Sequence, residues 1–104
     1  PEPVPAVYGG TGWPAGSDAL QAVLADFLTV QGTTVQTVDF EASDHAPFLA
    51  AGIAAGGLFT GADDGADPCY HQACDGVANV DVAMLEGMAD AAAHATLTFA
   101  QSKG

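Results

Sequence analysis

The sequence predicts an α/β fold, because segments with a β-strand pattern alternate along the chain with segments of helical period. Three short apolar or β-branched segments are candidate strands, and two to three segments carry apolar residues at helical spacing. Three strands make a thin sheet for this fold class, and a parallel sheet of that size leaves a wide apolar edge exposed. We therefore expect residues 1–104 to be a single domain or a portion of a larger one.

The first half of the chain contains two candidate strands and the clearest helix. Residues 4–8 are a short apolar patch that fits a strand or an edge. A helix follows from Ser17, which is a typical N-cap residue, and Gly32 is its natural stop. The apolar residues that share one face of this helix are Leu20, Val23, Leu24, Phe27 and Leu28. Residues 33–40 are β-branched and alternate, which predicts a strand.

The second half predicts a short helix, a third strand and a closing helix. Ser43 is placed to cap a helix over residues 44–51, with Pro47 in its first turn, where proline is tolerated. Residues 53–59 form a run of small and apolar residues that suits a buried strand, and residues 60–80 form a long loop. Over residues 81–100 an approximately helical period is kept by Val82, Leu85, Met88, Ala92 and Phe99.

The charge balance is strongly acidic, with thirteen Asp and Glu against one basic residue and a net charge of −12. This excludes nucleic acid and anionic membrane surfaces as partners, since both need clustered lysine and arginine. No apolar run approaches the length that crosses a membrane. The acidity is typical of a solvated surface on a secreted or salt-adapted protein.

The only two cysteines, Cys69 and Cys74, bracket a tyrosine and a histidine, Tyr70 and His71. If the cysteines join, the short loop stabilises the fold by about 2 kcal/mol in the loop-entropy account. A disulfide would place the protein outside the cytosol. Such a pair is most often a minor structural link beside an ordinary polar loop. The functional alternative is a metal ligand next to an oxyanion donor.

A structural zinc site is a poor alternative for this bracket. Such a site needs two further ligands at matched spacing. The other two histidines, His45 and His94, are too scattered along the chain to complete that pattern.

Three motifs that follow in order carry a family resemblance. They are Ser-Asp-His-Ala-Pro-Phe at residues 43–48, the glycine-rich run ending Gly-Leu-Phe-Thr-Gly at residues 52–61, and Asp-Pro-Cys-Tyr-His-Gln-Ala-Cys-Asp at residues 67–75. This order closely resembles the C-terminal part of secreted bacterial two-zinc aminopeptidases, the leucine-preferring members of metallopeptidase family 28. The likeness extends over roughly residues 16–99.

The resemblance implies an α/β/α sandwich around a mixed sheet, of which this chain would be a partial, C-terminal portion. It also implies two zinc ions that activate a water to release N-terminal, large apolar residues from peptide substrates. His71 would be a zinc ligand, and Tyr70 would polarise the substrate carbonyl as a catalytic residue. Phe59 would line the pocket for the substrate side chain. The family pattern also implies that Cys69 and Cys74 are joined.

The resemblance implies a second, calcium site on the last helix. Glu86 and Asp90 match two acidic residues, four apart, that bind calcium in other members, and calcium takes oxygen ligands. The alternative is a solvated acidic stripe. Asp44 and His45 are expected to support the wall of the active site, and His94 to be an ordinary residue on a helix face.

The departures from the family pattern limit what the isolated chain can do. The family's other zinc ligands and its general base belong to motifs that residues 1–104 do not contain, so we expect the isolated chain to be inactive. The N-terminal part of the same enzyme would then be its partner. Glu41 and Ala42 stand where members often have Gly-Arg, and the segment at residues 61–66 is shorter than the family's loop.

A second hypothesis is that the chain has the peptidase fold but no peptidase activity. In that case the chain is a non-catalytic remnant that binds a peptide or a partner through a wall made by Phe59 and Tyr70. Hydrolysis of an aminoacyl substrate in the presence of zinc and any companion chain separates the two hypotheses.

Overall fold

The computed structural model describes residues 4–60 and 67–102. Over these residues it has three α-helices and a three-stranded mixed sheet, which confirms the predicted partial α/β fold. The elements are β1 (Ala6–Tyr8), α1 (Ser17–Val30), β2 (Gln36–Val38), α2 (Ala46–Ala50), β3 (Leu58–Phe59), a 3-10 helix (Val77–Asn79) and α3 (Val82–Ala100). None of the helices in the described ranges is long and apolar enough to cross a membrane.

Strand β1 lies at the centre of the sheet, in the order β2-β1-β3. It pairs in parallel with β2 and antiparallel with β3. The strands predicted over residues 33–40 and 53–59 are present but much shorter, with three and two residues. The central strand itself has only three residues and is followed by Gly9 and Gly10, so it offers few backbone groups for either neighbour to pair with.

The two faces of the sheet are covered differently, because successive side chains of a strand point to opposite faces. Val7 belongs to a core cluster with Leu24 and Leu28 of α1. Its neighbour Tyr8 stacks instead on His45, which directly precedes α2. Helix α1 therefore lies on one face of the sheet, and the start of α2 lies on the other.

Helix α1 has the predicted apolar face, with Leu24 and Leu28 buried. The prediction of Ser17 as its N-cap is wrong, because Gly16 takes that position with φ of 100°. The Ser17 hydroxyl instead accepts a hydrogen bond from the Ala55 amide at 3.1 Å, which ties the start of α1 to the segment before β3. Gly32 ends the helix as predicted, at φ of 84°. The amides of Gly32 and Thr33 bond back to the last helical turn, the arrangement of a Schellman motif.

Helix α2 is one short turn, as its five residues indicate. The predicted cap Ser43 contributes only its carbonyl oxygen, which accepts from the Ala46 amide at 2.9 Å, and His45 is the N-cap residue. Pro47 lies in the first turn as expected. Gly52 follows the helix with φ of 79°, a conformation that glycine adopts at no steric cost.

Helix α3 begins after Asp81, whose carboxylate accepts from the Met84 amide at 3.0 Å. Its buried residues are Ala91 and Ala95, which join the core beside α1. Val82 and Leu85 belong to the same helical period but are 70% and 58% exposed. The part of α3 from Met88 to Ala95 therefore packs against the core, whereas Val82 and Leu85 near its start do not.

Candidate active site

Seven aromatic and imidazole rings lie in a continuous array on the side of the sheet that Tyr8 faces. We call this array the aromatic wall; its members are Tyr8, Trp13, Phe40, His45, Phe59, Tyr70 and His71. Tyr8 stacks on His45 with ring centroids 4.4 Å apart and lies 6.3 Å from Phe59. Phe59 meets Tyr70 edge to face at 6.2 Å, and Tyr70 stacks on His71 at 3.9 Å. The wall thus connects the centre of the sheet to the cysteine bracket.

Tyr8, on the central strand β1, is the buried member of this wall that joins it to the sheet. It is buried, and its ring lies so close to Gly57 that a Cβ atom there would be 2.8 Å from the tyrosine Cδ2. Burial raises the pKa of the Tyr8 phenol above its usual value near 10, and the Tyr70 phenol raises it further. Tyr8 is therefore kept in its neutral form throughout the physiological pH range. From the sequence, Tyr8 is predicted only as part of an apolar patch.

His45 is held by its neighbours rather than free to bind a metal. Its side chain is buried, and its Nε2 donates a hydrogen bond to the Phe40 carbonyl. The ring lies flat on Tyr8. This placement agrees with the expected supporting role of His45 in the wall. His94 is an exposed residue of α3 that stacks on Phe27 at 4.8 Å, as expected for a helix-face residue.

The cysteine bracket is closed by a disulfide between Cys69 and Cys74. Within it the backbone turns sharply, since the Gln72 amide donates to the Cys69 carbonyl at 2.8 Å. His71 takes a left-handed conformation, with φ of 57°, which non-glycine residues rarely adopt. Tyr70 is 47% exposed and His71 is also exposed. The closed loop therefore presents a phenol and an imidazole to the outside.

A set of hydrogen bonds flanks the disulfide loop. The side-chain amide of Asn79 donates to Asp67 Oδ1 at 3.1 Å and to Asp75 Oδ1 at 3.0 Å. Asp67 Oδ1 also accepts from the Cys69 amide at 3.0 Å. We call Asp67, Asp75 and Asn79 the clasp. Both aspartates belong to the motif at residues 67–75, and their position just outside the two cysteines is the sequence signal for a role in holding the loop.

Phe59 borders a cavity of about 650 Å³. Its apolar lining includes Leu58, Phe59, Met84, Leu85 and Met88, and its polar lining includes Asp67, Asp75, Asn79 and Asp81. Tyr70 and His71 are not among the lining residues. Phe59 therefore lies between an apolar recess and the exposed Tyr70 ring, a position suited to contact with an apolar side chain.

The residues present do not by themselves form a metal site. Within residues 4–60 and 67–102, no three or more His, Cys, Asp or Glu side chains are grouped to hold a metal ion. His71 offers a single imidazole, whereas a catalytic zinc takes three protein ligands. Glu86 and Asp90 are both exposed on α3. A metal bound at His71 would need ligands beyond those that the described residues group around it.

Comparison with known proteins decides the family. The sequence model of the family described as "Peptidase family M28" matches residues 4–96. The chain belongs to peptidase family M28. The match spans the whole sheet, all of the aromatic wall and most of α3. The predicted resemblance to family 28 is thereby confirmed.

Two of three similar relatives are named aminopeptidases, and the third is named a leupeptin-inactivating enzyme. An aminopeptidase of Pseudomonas aeruginosa is 36% identical over 101 residues, covering 80% of this chain and 19% of the relative. Leupeptin-inactivating enzyme 1 of Streptomyces exfoliatus is 38% identical over 82 residues, covering 64% and 19%. Aminopeptidase Y of Saccharomyces cerevisiae is 33% identical over 97 residues, covering 86% and 18%. The matched region is about a fifth of the length of these relatives.

Proposed function

We propose that this chain forms one wall of the active site of a zinc-dependent aminopeptidase. The observation that carries the proposal is the closed Cys69–Cys74 loop, which presents Tyr70 and His71 side by side against Phe59, in a chain of peptidase family M28. Two zinc ions, held mainly by ligands outside residues 1–104, would supply an activated water as the nucleophile. His71 would contribute one imidazole ligand to that pair.

Tyr70 is proposed as the catalytic residue of this wall. Its phenol is a hydrogen-bond donor, and it would donate to the substrate carbonyl oxygen as that oxygen becomes negative. The ring is held on one side by the edge-to-face contact with Phe59 and on the other by the stacked His71 ring. Such fixed donors stabilise a transition state without having to reorganise during the reaction.

Peptides with a large apolar N-terminal residue are the proposed substrates. Phe59 offers a half-buried aromatic face beside the apolar recess formed with Leu58 and Met88. A hydrophobic surface of this kind favours apolar side chains, since their burial removes apolar area from water. The N-terminal part of the same enzyme is the proposed partner, and the isolated chain is proposed to be inactive.

The test compares two proteins, the 104-residue chain and a longer polypeptide that joins it to the proposed N-terminal part of the enzyme. Hydrolysis of a leucyl chromogenic substrate is measured for both with added zinc. We expect hydrolysis by the longer polypeptide only, abolished by a chelator and restored by zinc. Absence of hydrolysis from both would contradict the proposal and favour the non-catalytic peptide- or partner-binding alternative.

Tyr70→Phe in the longer polypeptide separates the proposed donor role of Tyr70 from the proposed zinc-ligand role of His71. Only a transition-state donor is removed, so kcat should fall by about 100-fold while KM and zinc content stay nearly unchanged. Tyr8→Phe is the matched control, because it removes a phenol deeper in the same wall. An unchanged kcat in Tyr70→Phe would show that the phenol has no part in the reaction.

Two further features belong to the same proposal. Glu86 and Asp90 lie four residues apart on α3, so they share a helix face and would contribute carboxylate ligands to a calcium ion completed by the longer polypeptide. A melting temperature of that polypeptide that does not change with calcium would contradict the calcium site.

The disulfide supports a secreted, extracellular location, which the recovery of the protein from culture medium would test.

A further inference from the structure

We propose that Asn79 is a positioning residue for the candidate active site, acting through the clasp it forms with Asp67 and Asp75. The inference rests on the proposed function for its biological meaning, but the geometry stands without it. Asp67 precedes Cys69 by two residues and Asp75 directly follows Cys74. A single side chain therefore holds both ends of the disulfide loop.

The disulfide and the clasp fix different things. The disulfide joins two points within the loop, so it determines the shape of the loop and the direction of Tyr70 and His71 relative to each other. It does not tie the loop to the rest of the fold. Asn79 lies in the 3-10 helix (Val77–Asn79), two residues before the N-cap of α3. The clasp thus fixes the loop relative to α3, and α3 packs against α1 through Ala91 and Ala95.

The chemistry of the clasp selects an amide at residue 79. The Asn79 Nδ2 group carries two N–H donors, and each has its own carboxylate acceptor in Asp67 and Asp75. An aspartate of the same shape would offer no donor at neutral pH. It would also place a third negative charge beside two others, in a chain whose net charge is already −12. Asn79→Asp therefore keeps nearly the same side-chain shape but replaces two hydrogen bonds with repulsion between carboxylates.

The contact that depends on the clasp is the one between the loop and the sheet. Phe59 belongs to β3 and meets Tyr70 edge to face. If Asn79 fixes the loop, breaking the clasp should separate Tyr70 from Phe59. The stack of Tyr70 on His71 lies within the loop, so it should survive as long as the disulfide is intact.

The test is NMR of the 104-residue chain with labelled aromatic rings. In Asn79→Asp we expect at least half of the ring-to-ring cross-peak intensity between Tyr70 and Phe59 to be lost, and the cross peaks between Tyr70 and His71 to be kept. Methyl shifts of Leu28 and Ala91 report on the core and should not move. Gln72→Glu is the matched control, because it adds the same charge inside the loop without touching the clasp.

Reversing the clasp polarity provides the rescue. The double variant Asp75→Asn, Asn79→Asp places an amide donor beside the new carboxylate and keeps Asp67 Oδ1 as the acceptor of the Cys69 amide, so it should restore part of the lost Tyr70–Phe59 intensity. If Asn79→Asp does not fold, Asn79→Ala removes the donors without adding charge and carries the same expectation. Full retention of the Tyr70–Phe59 contact in the folded Asp or Ala variant would overturn the proposal. Because no zinc or activity is involved, a failed aminopeptidase assay would leave this result untouched.

Discussion

The two ends of helix α3 differ in what surrounds them, and the rest of the molecule divides in the same way. The C-terminal half packs through Ala91 and Ala95 against α1, and with β1 it forms a closed core. The N-terminal half leaves Val82 and Leu85 largely exposed, next to Val77, which is 90% exposed. We refer to these as the closed region and the open region.

The difference separates the buried framework from the residues that we propose for the chemistry. Val7, at the centre of the sheet, belongs to the closed region, whereas Tyr70 and His71 are exposed. Exposed apolar side chains that lie close together are unusual on a protein that stands alone. The chain spans about a fifth of the length of the relatives it matches. Exposed apolar residues in the open region are expected if a further part of such a protein covers them.

Truncation of a leucine should have the largest effect and the sharpest contrast between regions. Leu28 is 1% exposed, so Leu28→Ala leaves a cavity and should lower the free energy of unfolding by about 2–5 kcal/mol. Leu85→Ala is the matched control, because Leu85 lies in the open region and is 58% exposed. It should change that free energy by no more than about 0.5 kcal/mol. Urea denaturation measures both, and equal losses would contradict the division into regions.

Enlargement of an alanine tests the contact between α1 and α3 with a smaller effect. Ala91 is fully buried, so Ala91→Leu overpacks the interface and should cost about 1–3 kcal/mol of unfolding free energy. Ala92→Leu adds the same atoms one residue further along, where the side chain is exposed. Thermal melts of the two variants should differ clearly. If Ala92→Leu were the more destabilising, the buried face of α3 would be misassigned.

Local signals allowed most of the secondary structure to be predicted. The face of α1 and the stop at Gly32 follow from spacing and from the freedom of glycine at positive φ, and both are present. Element ends were less predictable. The hydroxyl of Ser17 has the chemistry of a cap, but the Ala55 amide from a distant segment competes for it and is its partner.

The candidate site was predictable in its residues but not in its support. Tyr70 and His71 lie next to each other in the sequence, so their proximity needs no knowledge of the fold. The stacking of Tyr8 on His45 and the clasp of Asn79 join residues 37 and 12 positions apart, which no local pattern contains. The small residues that α3 buries also carry a weak apolar signal compared with the large ones that it exposes.

The proposed role of His71 is to hold zinc together with ligands from outside this chain. The zinc content of the longer polypeptide and of its His71→Ala variant, measured after exhaustive dialysis, tests this role. His94→Ala is the matched control, since His94 is also exposed but lies on α3. We expect two zinc ions per polypeptide, one fewer in His71→Ala, and no change in His94→Ala. An unchanged zinc content in His71→Ala would contradict this role.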